Sequence, residues 1–240
     1  LAVERQQGRG PTRPLFSSSN ECLACHNNLT APSGEDVSIG ASWRGSMMAN
    51  AARDPYFLAS LRRETIDHAS HAGDIQEECA RCHAAAAQRT TSAAGSQVDV
   101  FAHAAAWQAG RLDEIDTLAA DGVTCTVCHQ IDRERLGAPE TYSGNFVLAP
   151  PLPSGNRRAN GPHPPDAGRV RIMHSVTGVE QAEAPHIRQS ELCASCHTLI
   201  TNALGPKGEV VGSLPEQMTY PEWRHSAQKQ SCQACHMPAV

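Results

Sequence analysis

The sequence predicts a mostly α-helical chain with extensive coil and little or no β-sheet. Three observations indicate this fold class: a short cysteine motif occurs five times, large aliphatic side chains are scarce, and several stretches are rich in Gly and Pro. Leu, Ile, Val and Phe together make up 40 of the 240 residues, which is little apolar material for an ordinary core. We therefore expect a fold organised around bound groups, with little stable structure without them.

The repeated motif is Cys-x-x-Cys-His, and its five copies use every cysteine of the chain. Two cysteines three positions apart lie on one turn of helix, and a histidine follows directly. This arrangement is the attachment signature of c-type haem, in which two thioethers hold the porphyrin and the histidine ligates iron. The sequence thus predicts five c-type haems, a haem-organised multihaem cytochrome c fold and no catalytic residue. The predicted attachment residues are Cys22, Cys25, Cys79, Cys82, Cys125, Cys128, Cys193, Cys196, Cys232 and Cys235, and the predicted proximal ligands are His26, His83, His129, His197 and His236.

Zinc, redox and disulfide interpretations explain the motif less well. Tetrahedral zinc sites also use Cys-x-x-Cys, but they do not require a histidine directly after the second cysteine. A redox Cys-x-x-Cys normally occurs once, near a βαβ pattern, and disulfides would leave all five histidines unexplained.

Local signals place helices in the first part of the chain. Residues 1–21 contain Gly, Pro and Ser and predict an extended arm before a single domain at 22–240. Residues 43–66 predict two helical pieces broken where Asp54 precedes Pro55. A further helix is expected from about Asp74 into the second motif. Residues 98–120 are Ala-rich and helical in composition, interrupted at Gly110, and a turn is expected at 121–122.

The second part of the chain has weaker signals. Seven prolines and several glycines at about 132–178 predict a long irregular excursion that covers haem edges or contacts another subunit. Helical character returns at about 183–196, a Gly/Pro-rich turn region is expected at 201–215, and a short helix is expected between 221 and 232. The unequal intervals between motifs exclude a strict repeat.

Each iron needs a second axial ligand or an open site, and this choice separates an electron carrier from an enzyme. Seven histidines remain beyond the motifs, enough for five bis-histidine haems. His163, in a Pro-rich stretch, is the weakest of them. Methionine is the competing ligand, but it more often fills apolar gaps. Five distal ligands are expected from His68, His71, His103, His174, His186 and His225, and the methionines are Met47, Met48, Met173, Met218 and Met237.

Charge and hydropathy limit the possible partners. The net charge is −5 and no basic stripe is present, so we expect no nucleic-acid partner. No stretch approaches the length of apolar sequence that crosses a membrane. Because c-type haem is attached outside the cytoplasmic membrane, we expect an exported protein, periplasmic or extracellular, with Leu1 as a mature N-terminus.

Several segments resemble the multihaem c-type cytochrome family that includes the tetrahaem cytochrome of ammonia-oxidising bacteria. The similar segments cover most of residues 40–238 and are 43–49, 52–57, 121–123, 192–199, 216–223 and 232–238. The resemblance implies a periplasmic or extracellular electron carrier, largely bis-histidine, with closely stacked haem pairs. Two departures concern the fifth motif: such proteins often continue past the Cys-His-Met-Pro segment, and His225 stands where the family pattern has no histidine.

The leading hypothesis is electron transfer through five haems, with redox proteins or copies of the same chain as partners. Motif 5 lies close to Val240 and motif 1 follows the arm, so exposed terminal haems predict a possible head-to-tail homopolymer, an extracellular filament. The alternative is a multihaem redox enzyme acting on small nitrogen compounds at one open-site haem. None of the five motifs replaces its histidine, and enough distal histidines exist to occupy every iron.

Overall fold

A computed structural model describes residues 14–238 of the protein. About 48% of these residues are helical and 12% are in strands or bridges, so the predicted mostly α fold with extensive coil is confirmed. The helices are α1 (Ser19–Leu23), α2 (Ile39–Arg44), α3 (Met47–Asn50), α4 (Pro55–Asp67), α5 (Ala72–His83), α6 (Ala85–Ala93), α7 (Val100–Gln108), α8 (Glu114–Ala120), α9 (Cys125–Gln130), α10 (Ala167–Thr177), α11 (Ser190–Ala194), α12 (Thr219–His225) and α13 (Cys232–His236). The strands are β1 (Arg157–Gly161), β2 (Val179–Glu183), β3 (Leu199–Leu204) and β4 (Val210–Gln217).

The predicted break at residues 54–55 is a helix start. The Asp54 carboxylate accepts hydrogen bonds from the backbone N–H groups of Tyr56 and Phe57, and Pro55 occupies the first turn, where its missing N–H costs nothing. The helical piece before the break consists of two short helices, α2 and α3. Helix α5 runs into the second motif as expected.

Residues 98–122 also follow their sequence signals. Gly110, with φ +64°, separates α7 from α8, and Asp113 and Asp116 form a capping box at the start of α8. Gly122 turns the chain into the third motif with φ +64°. A Cβ at Gly122 would collide with the carbonyl oxygen of Met48, so only glycine fits this close approach.

One hydrophobic cluster forms the core, and all of it lies between residues 16 and 146. Alanines let α5, α6 and α8 approach closely, and they supply a large share of the buried positions. Its buried members are Phe16, Ala52, Phe57, Leu61, Ala80, Ala84, Ala85, Ala86, Ala87, Val98, Val100, Leu118, Ala119, Val123, Val127, Ile131 and Phe146.

The described part of the predicted N-terminal arm packs on this core. Phe16 is buried, Ser17 N–H donates to Thr126 Oγ1 at 3.1 Å, and Ser19 N–H donates to Asp121 Oδ2 at 2.6 Å. Helix α1 already begins at Ser19, inside the range predicted as extended. Residues 1–13, where most of the predicted arm falls, lie outside the described residues.

The predicted excursion at 132–178 contains regular structure that sequence reasoning missed. Strands β1 and β2 pair in parallel, from Arg157 opposite Val179 to Gly161 opposite Glu183. Helix α10 connects them, beginning after the Asp166 cap and ending at Gly178, which has φ +69°. Both end signals are visible in the sequence, but the surrounding prolines obscured them.

The region 201–215 is not a set of turns but most of an antiparallel hairpin. Strands β3 and β4 pair with two register irregularities, and nearly every residue of β4 is exposed. Between β2 and this hairpin, the segment predicted as helical at 183–196 holds a short 3-10 turn and α11. The helix expected between 221 and 232 is shorter: α12 begins at Thr219 and ends at His225, and α13 begins only at Cys232. No helix within residues 14–238 has the length and apolar character needed to cross a bilayer.

Candidate functional site

All five Cys-x-x-Cys-His motifs lie on or directly beside short helices. Motif 1 follows from α1, motif 2 ends α5, motif 3 begins α9, motif 4 follows from α11, and motif 5 forms α13. In motifs 1 and 4 the histidine N–H donates to the carbonyl of the first cysteine, at 2.9 Å in motif 1 and 2.8 Å in motif 4. Each motif therefore presents two thiols from one helical turn with an imidazole beside them.

The motifs are neighbours in space although they are far apart in sequence. The thiols of Cys22 and Cys125 interact, which joins motifs 1 and 3. Cys82 and Cys196 join motifs 2 and 4 in the same way. Motif 4 also lies beside motif 5, where Cys232 N–H donates to Ser190 Oγ at 3.0 Å, and its Cys193 thiol is near enough to Cys128 of motif 3 for the two to influence each other electrostatically. Motif 4 therefore has three other motifs near it.

The two outer motifs, motifs 1 and 5, differ from the inner motifs 2, 3 and 4. In the outer motifs the second cysteine and the histidine are exposed. The cysteines and histidines of the inner motifs are half-buried. This burial raises the pKa of the Cys128 thiol to about 11 and that of Cys79 to about 12.

Where thiols of two motifs interact, the pKa of one thiol falls and that of the other rises. The hydrogen bond from Cys22 lowers the pKa of Cys125 to about 7 and raises the pKa of Cys22. At motifs 2 and 4 the corresponding contact lowers the pKa of Cys82 and raises that of Cys196.

Two of the three inner histidines, His83 and His129, are oriented by backbone carbonyl groups, whereas Nδ1 of His197 lies 3.4 Å from the Gln217 side-chain amide nitrogen. His83 Nδ1 donates to the carbonyl of Ala51 at 3.1 Å, and His129 Nδ1 donates to that of Asn160 at 2.6 Å. Since a carbonyl only accepts, each ring carries its proton on Nδ1 and leaves the Nε2 lone pair free. His83 also stacks on Phe57 with 3.8 Å between ring centroids.

Burial favours the neutral form of these rings. Desolvation is the main cause that lowers the pKa of His83, His129 and His197, and the neighbouring His236 lowers that of His197 further. A neutral imidazole with a fixed tautomer and a free Nε2 is the form that ligates a metal. The donor set of paired thiols and oriented imidazoles therefore fits c-type haem.

Among the predicted distal ligands, His103 has the geometry best suited to that role. Its Nδ1 lies 2.6 Å from Asp116 Oδ1, and both side chains are largely buried. The bond to His103 is the main cause that lowers the pKa of Asp116. A carboxylate on Nδ1 fixes the tautomer and leaves Nε2 as the ligating atom.

His186 is buried in a different arrangement. Its Nε2 donates to the carbonyl of Ile131 at 2.9 Å, which also accepts from Asn160 Nδ2 at 2.8 Å. Here Nδ1 carries the free lone pair, and the ring joins the 3-10 turn at 185–188 to Ile131, directly after α9.

The remaining histidines lie near the surface. His68 is 4.0 Å from Glu64, His71 is 3.6 Å from Asp74, and His174 Nε2 is 2.7 Å from the Asn156 amide nitrogen. His225 and His163 are exposed. Among the methionines, Met47 and Met237 are exposed, whereas Met48 packs against the core.

Two supporting residues were missed by sequence reasoning. Asn160 orients His129 through its carbonyl, which every residue type possesses, so no sequence signal identifies it. Asp116 contacts His103 but also completes a helix cap, which already explains an acidic residue at that position. Within residues 14–238, no cluster of three or more His, Cys, Asp or Glu side chains converges on a metal-sized site.

Compared with protein-family models, curated proteins and solved structures, the chain has no significant match.

Proposed function

We propose that the protein transfers electrons through five covalently bound c-type haems. The observation that carries this proposal is the proximity of motifs that are far apart in sequence. Helix α1 packs against α9 and α11 packs against α13, which places motif 1 beside motif 3 and motif 4 beside motif 5. The turn at 142–146 contacts both motif 2 and motif 4. Groups attached there would be close neighbours, as electron transfer between them requires. Bound c-type haem supplies a one-electron Fe(III)/Fe(II) couple.

The chain's own residues contribute attachment, orientation and exclusion of water. The paired cysteines provide thioether positions, and the carbonyls of Ala51 and Asn160 orient His83 and His129. Half-burial of the inner motifs keeps their imidazoles neutral, while the exposed outer motifs offer places where a partner could approach. His103, held by Asp116, is the preferred distal ligand.

The resemblance to the multihaem cytochromes agrees with this proposal and adds an exported location, periplasmic or extracellular. The partners would be other redox proteins or further copies of the chain, meeting at motif 1 or motif 5. Assembly of copies through these two motifs would be head-to-tail, because the two surfaces differ, and such contacts build a filament when the rotation does not close.

The test begins with the mass and spectrum of the holoprotein. We expect five covalent haem adducts, and a Cys232→Ala/Cys235→Ala variant should lose one of them. A colourless protein, or thiols that coordinate zinc, would overturn the proposal.

Low-temperature electron paramagnetic resonance then separates transfer from catalysis. Purely low-spin ferric signals are expected if every iron has two axial ligands. A high-spin signal equivalent to one haem in five would favour the alternative, a redox enzyme for small nitrogen compounds. Electron microscopy distinguishes filaments from single particles.

A further inference from the structure

A positively charged side chain lies at the contact between motifs 2 and 4 without an acidic partner. Arg89, on α6, donates from Nη2 to the carbonyls of Gly144 at 2.8 Å and Phe146 at 2.9 Å, and its guanidinium covers the Phe146 ring. Its Nε atom is buried and has no hydrogen-bond partner. In the described part of the chain, the arginine ion pairs are Arg63–Asp67 and Arg135–Glu134, and neither includes Arg89.

The turn at 142–146 fixes this guanidinium beside both motifs. Gly144 N–H donates to the Ser195 carbonyl at 2.7 Å, which ties the turn to motif 4. A Cβ at Gly144 would lie 2.6 Å from the Cβ of Arg81, so the turn also packs tightly on motif 2. Cys82 and Cys196 are close enough to Arg89 to influence its charge.

Two hydroxyl groups, that of Ser195 within motif 4 and that of Thr198 directly after it, are also unsatisfied. Ser195 and Thr198 are both fully buried, and neither side-chain oxygen has a hydrogen-bond partner among residues 14–238. A buried hydroxyl without a hydrogen-bond partner is unfavourable, so native proteins normally avoid it.

These features together describe a place for an anion. Burial lowers the pKa of the Arg89 guanidinium, and repulsion from Arg81 lowers it further. No ion pair with an acidic side chain of the described residues offsets this positive charge. A half-buried guanidinium is normally paired with a carboxylate or phosphate. The carboxylates that c-type haem brings to such a contact are its propionates.

We propose that Arg89, together with the Ser195 and Thr198 hydroxyls, binds a carboxylate at the contact between motifs 2 and 4. Resting on the proposed function, the inference identifies this carboxylate as a propionate of a porphyrin attached at one of these motifs. Arg89 is then a residue that sets a reduction potential, because it neutralises negative charge beside the iron.

The test compares Arg89→Gln with Arg89→Lys by potentiometric titration of the five haems in the holoprotein. Loss of the positive charge favours ferric iron, so Arg89→Gln should lower the reduction potential of one or two haems. The expected change is about tenfold in the equilibrium constant for reduction, which corresponds to ~59 mV for one electron. Arg89→Lys keeps the charge and should stay near wild type. Arg63→Gln, which removes an exposed cation on α4, is the matched control and should shift nothing.

Several outcomes would overturn the inference. Five haems with unchanged potentials in Arg89→Gln would refute it while leaving electron transfer intact, whereas a haem-free protein refutes the proposed function itself. Equal shifts in the Lys and Gln variants would indicate that Arg89 acts only as a tether for the 142–146 turn. A wild-type potential that varies with added acetate would identify a free anion in place of a propionate.

A second variant covers the case in which Arg89→Gln fails to fold. Thr198→Val keeps the shape of the side chain and removes the hydroxyl. If that hydroxyl donates to the carboxylate, one potential should fall by less than in Arg89→Gln. If the hydroxyl has no partner in the holoprotein, Thr198→Val should raise the melting temperature and leave all five potentials unchanged, which contradicts the proposed site.

Discussion

Residues 14–149 and residues 150–238 bury their side chains in different ways. The first part holds three motifs and the whole hydrophobic cluster. The second part holds two motifs and contributes few buried apolar residues. Its buried positions are Ala184, Ala194 and Tyr220, with the polar Asn160, His186, Ser190, Ser195 and Thr198.

Apolar side chains of the second part are instead found on its surface. Val210, Val211 and Leu214 of β4 are all more than half exposed, and so are Ile172 and Val176 of α10. Hydrogen bonds, such as those from His186 and Asn160 to Ile131, join this part to the first. The first part is therefore stabilised by a hydrophobic core, as in an ordinary small domain. The second part is stabilised by its hydrogen bonds to the first part and, under the proposed function, by its attached porphyrins.

Under the proposed function, preparing the protein without haem should produce the largest difference between the two parts. In the apoprotein, with cysteines kept reduced, we expect amide protection in α4 and α5 to exceed that in β3 and β4 by on the order of a hundredfold. The reason is that the hydrophobic cluster persists in the first part only. Hydrogen exchange followed by mass spectrometry measures this, with the holoprotein as reference. Equal loss of protection in both parts would break the comparison.

A core truncation should have the next largest effect. Leu61, on α4, is 2% exposed, so Leu61→Ala should reduce the free energy of unfolding by about 2–5 kcal/mol. Val211→Ala, on the exposed hairpin, is the control and should change it by less than ~0.5 kcal/mol. Guanidinium unfolding of the holoprotein, followed by far-ultraviolet circular dichroism, compares them. Similar losses in both variants would mean that the hairpin is covered in solution.

Two adjacent glutamates on α5 should show the smallest effects, with opposite signs. Burial alone would raise the pKa of Glu77, but hydrogen bonds from Gln88, Val98 and Ser92 lower it below its usual value. These bonds link α5 to α6 and the following loop within the first part. The neighbouring Glu78 has a pKa raised by burial.

The signs follow from linkage between protonation and folding. The ionised Glu77 stabilises the fold above its unfolded pKa, and this contribution is lost as pH falls through the lower folded value. Glu77→Gln should therefore cost about 1–2 kcal/mol at pH 7, with the difference shrinking on acidification. Glu78→Gln should be neutral or slightly stabilising at pH 7. Unfolding curves between pH 3 and 7, on the order of one pH unit apart, test both; a pH-independent cost for Glu77→Gln would contradict the assignment.

Sequence reasoning succeeded where the determinants are local. The Asp54-Pro55 start, the Gly110 break and the turn at Gly122 are each set by one or two residues, and the structure follows them. It failed for β1 and β2, because parallel pairing across more than twenty residues has no local signature. The β3–β4 hairpin was missed because Gly212 and Pro215 made its second strand read as turns.

For the candidate site, too, local features can be predicted from the sequence and long-range contacts cannot. Motif spacing alone predicts ten attachment cysteines and five ligating histidines, since one helical turn fixes their relation, and this stays a prediction. The contacts between motifs could not be predicted, because they depend on how distant helices pack. The role of Asn160 was also hidden, since its bond to His129 uses a main-chain carbonyl.

Motif 4 lies near three other motifs, motifs 2, 3 and 5, whereas motif 1 lies near motif 3. Substitutions in the motifs should therefore have unequal effects. A substitution at Cys193 or Cys196 should disturb the three motifs near motif 4, whereas one at Cys22 should disturb motif 3. Under the proposed function, the haem attached at motif 4 would lie between those attached at motifs 2 and 5.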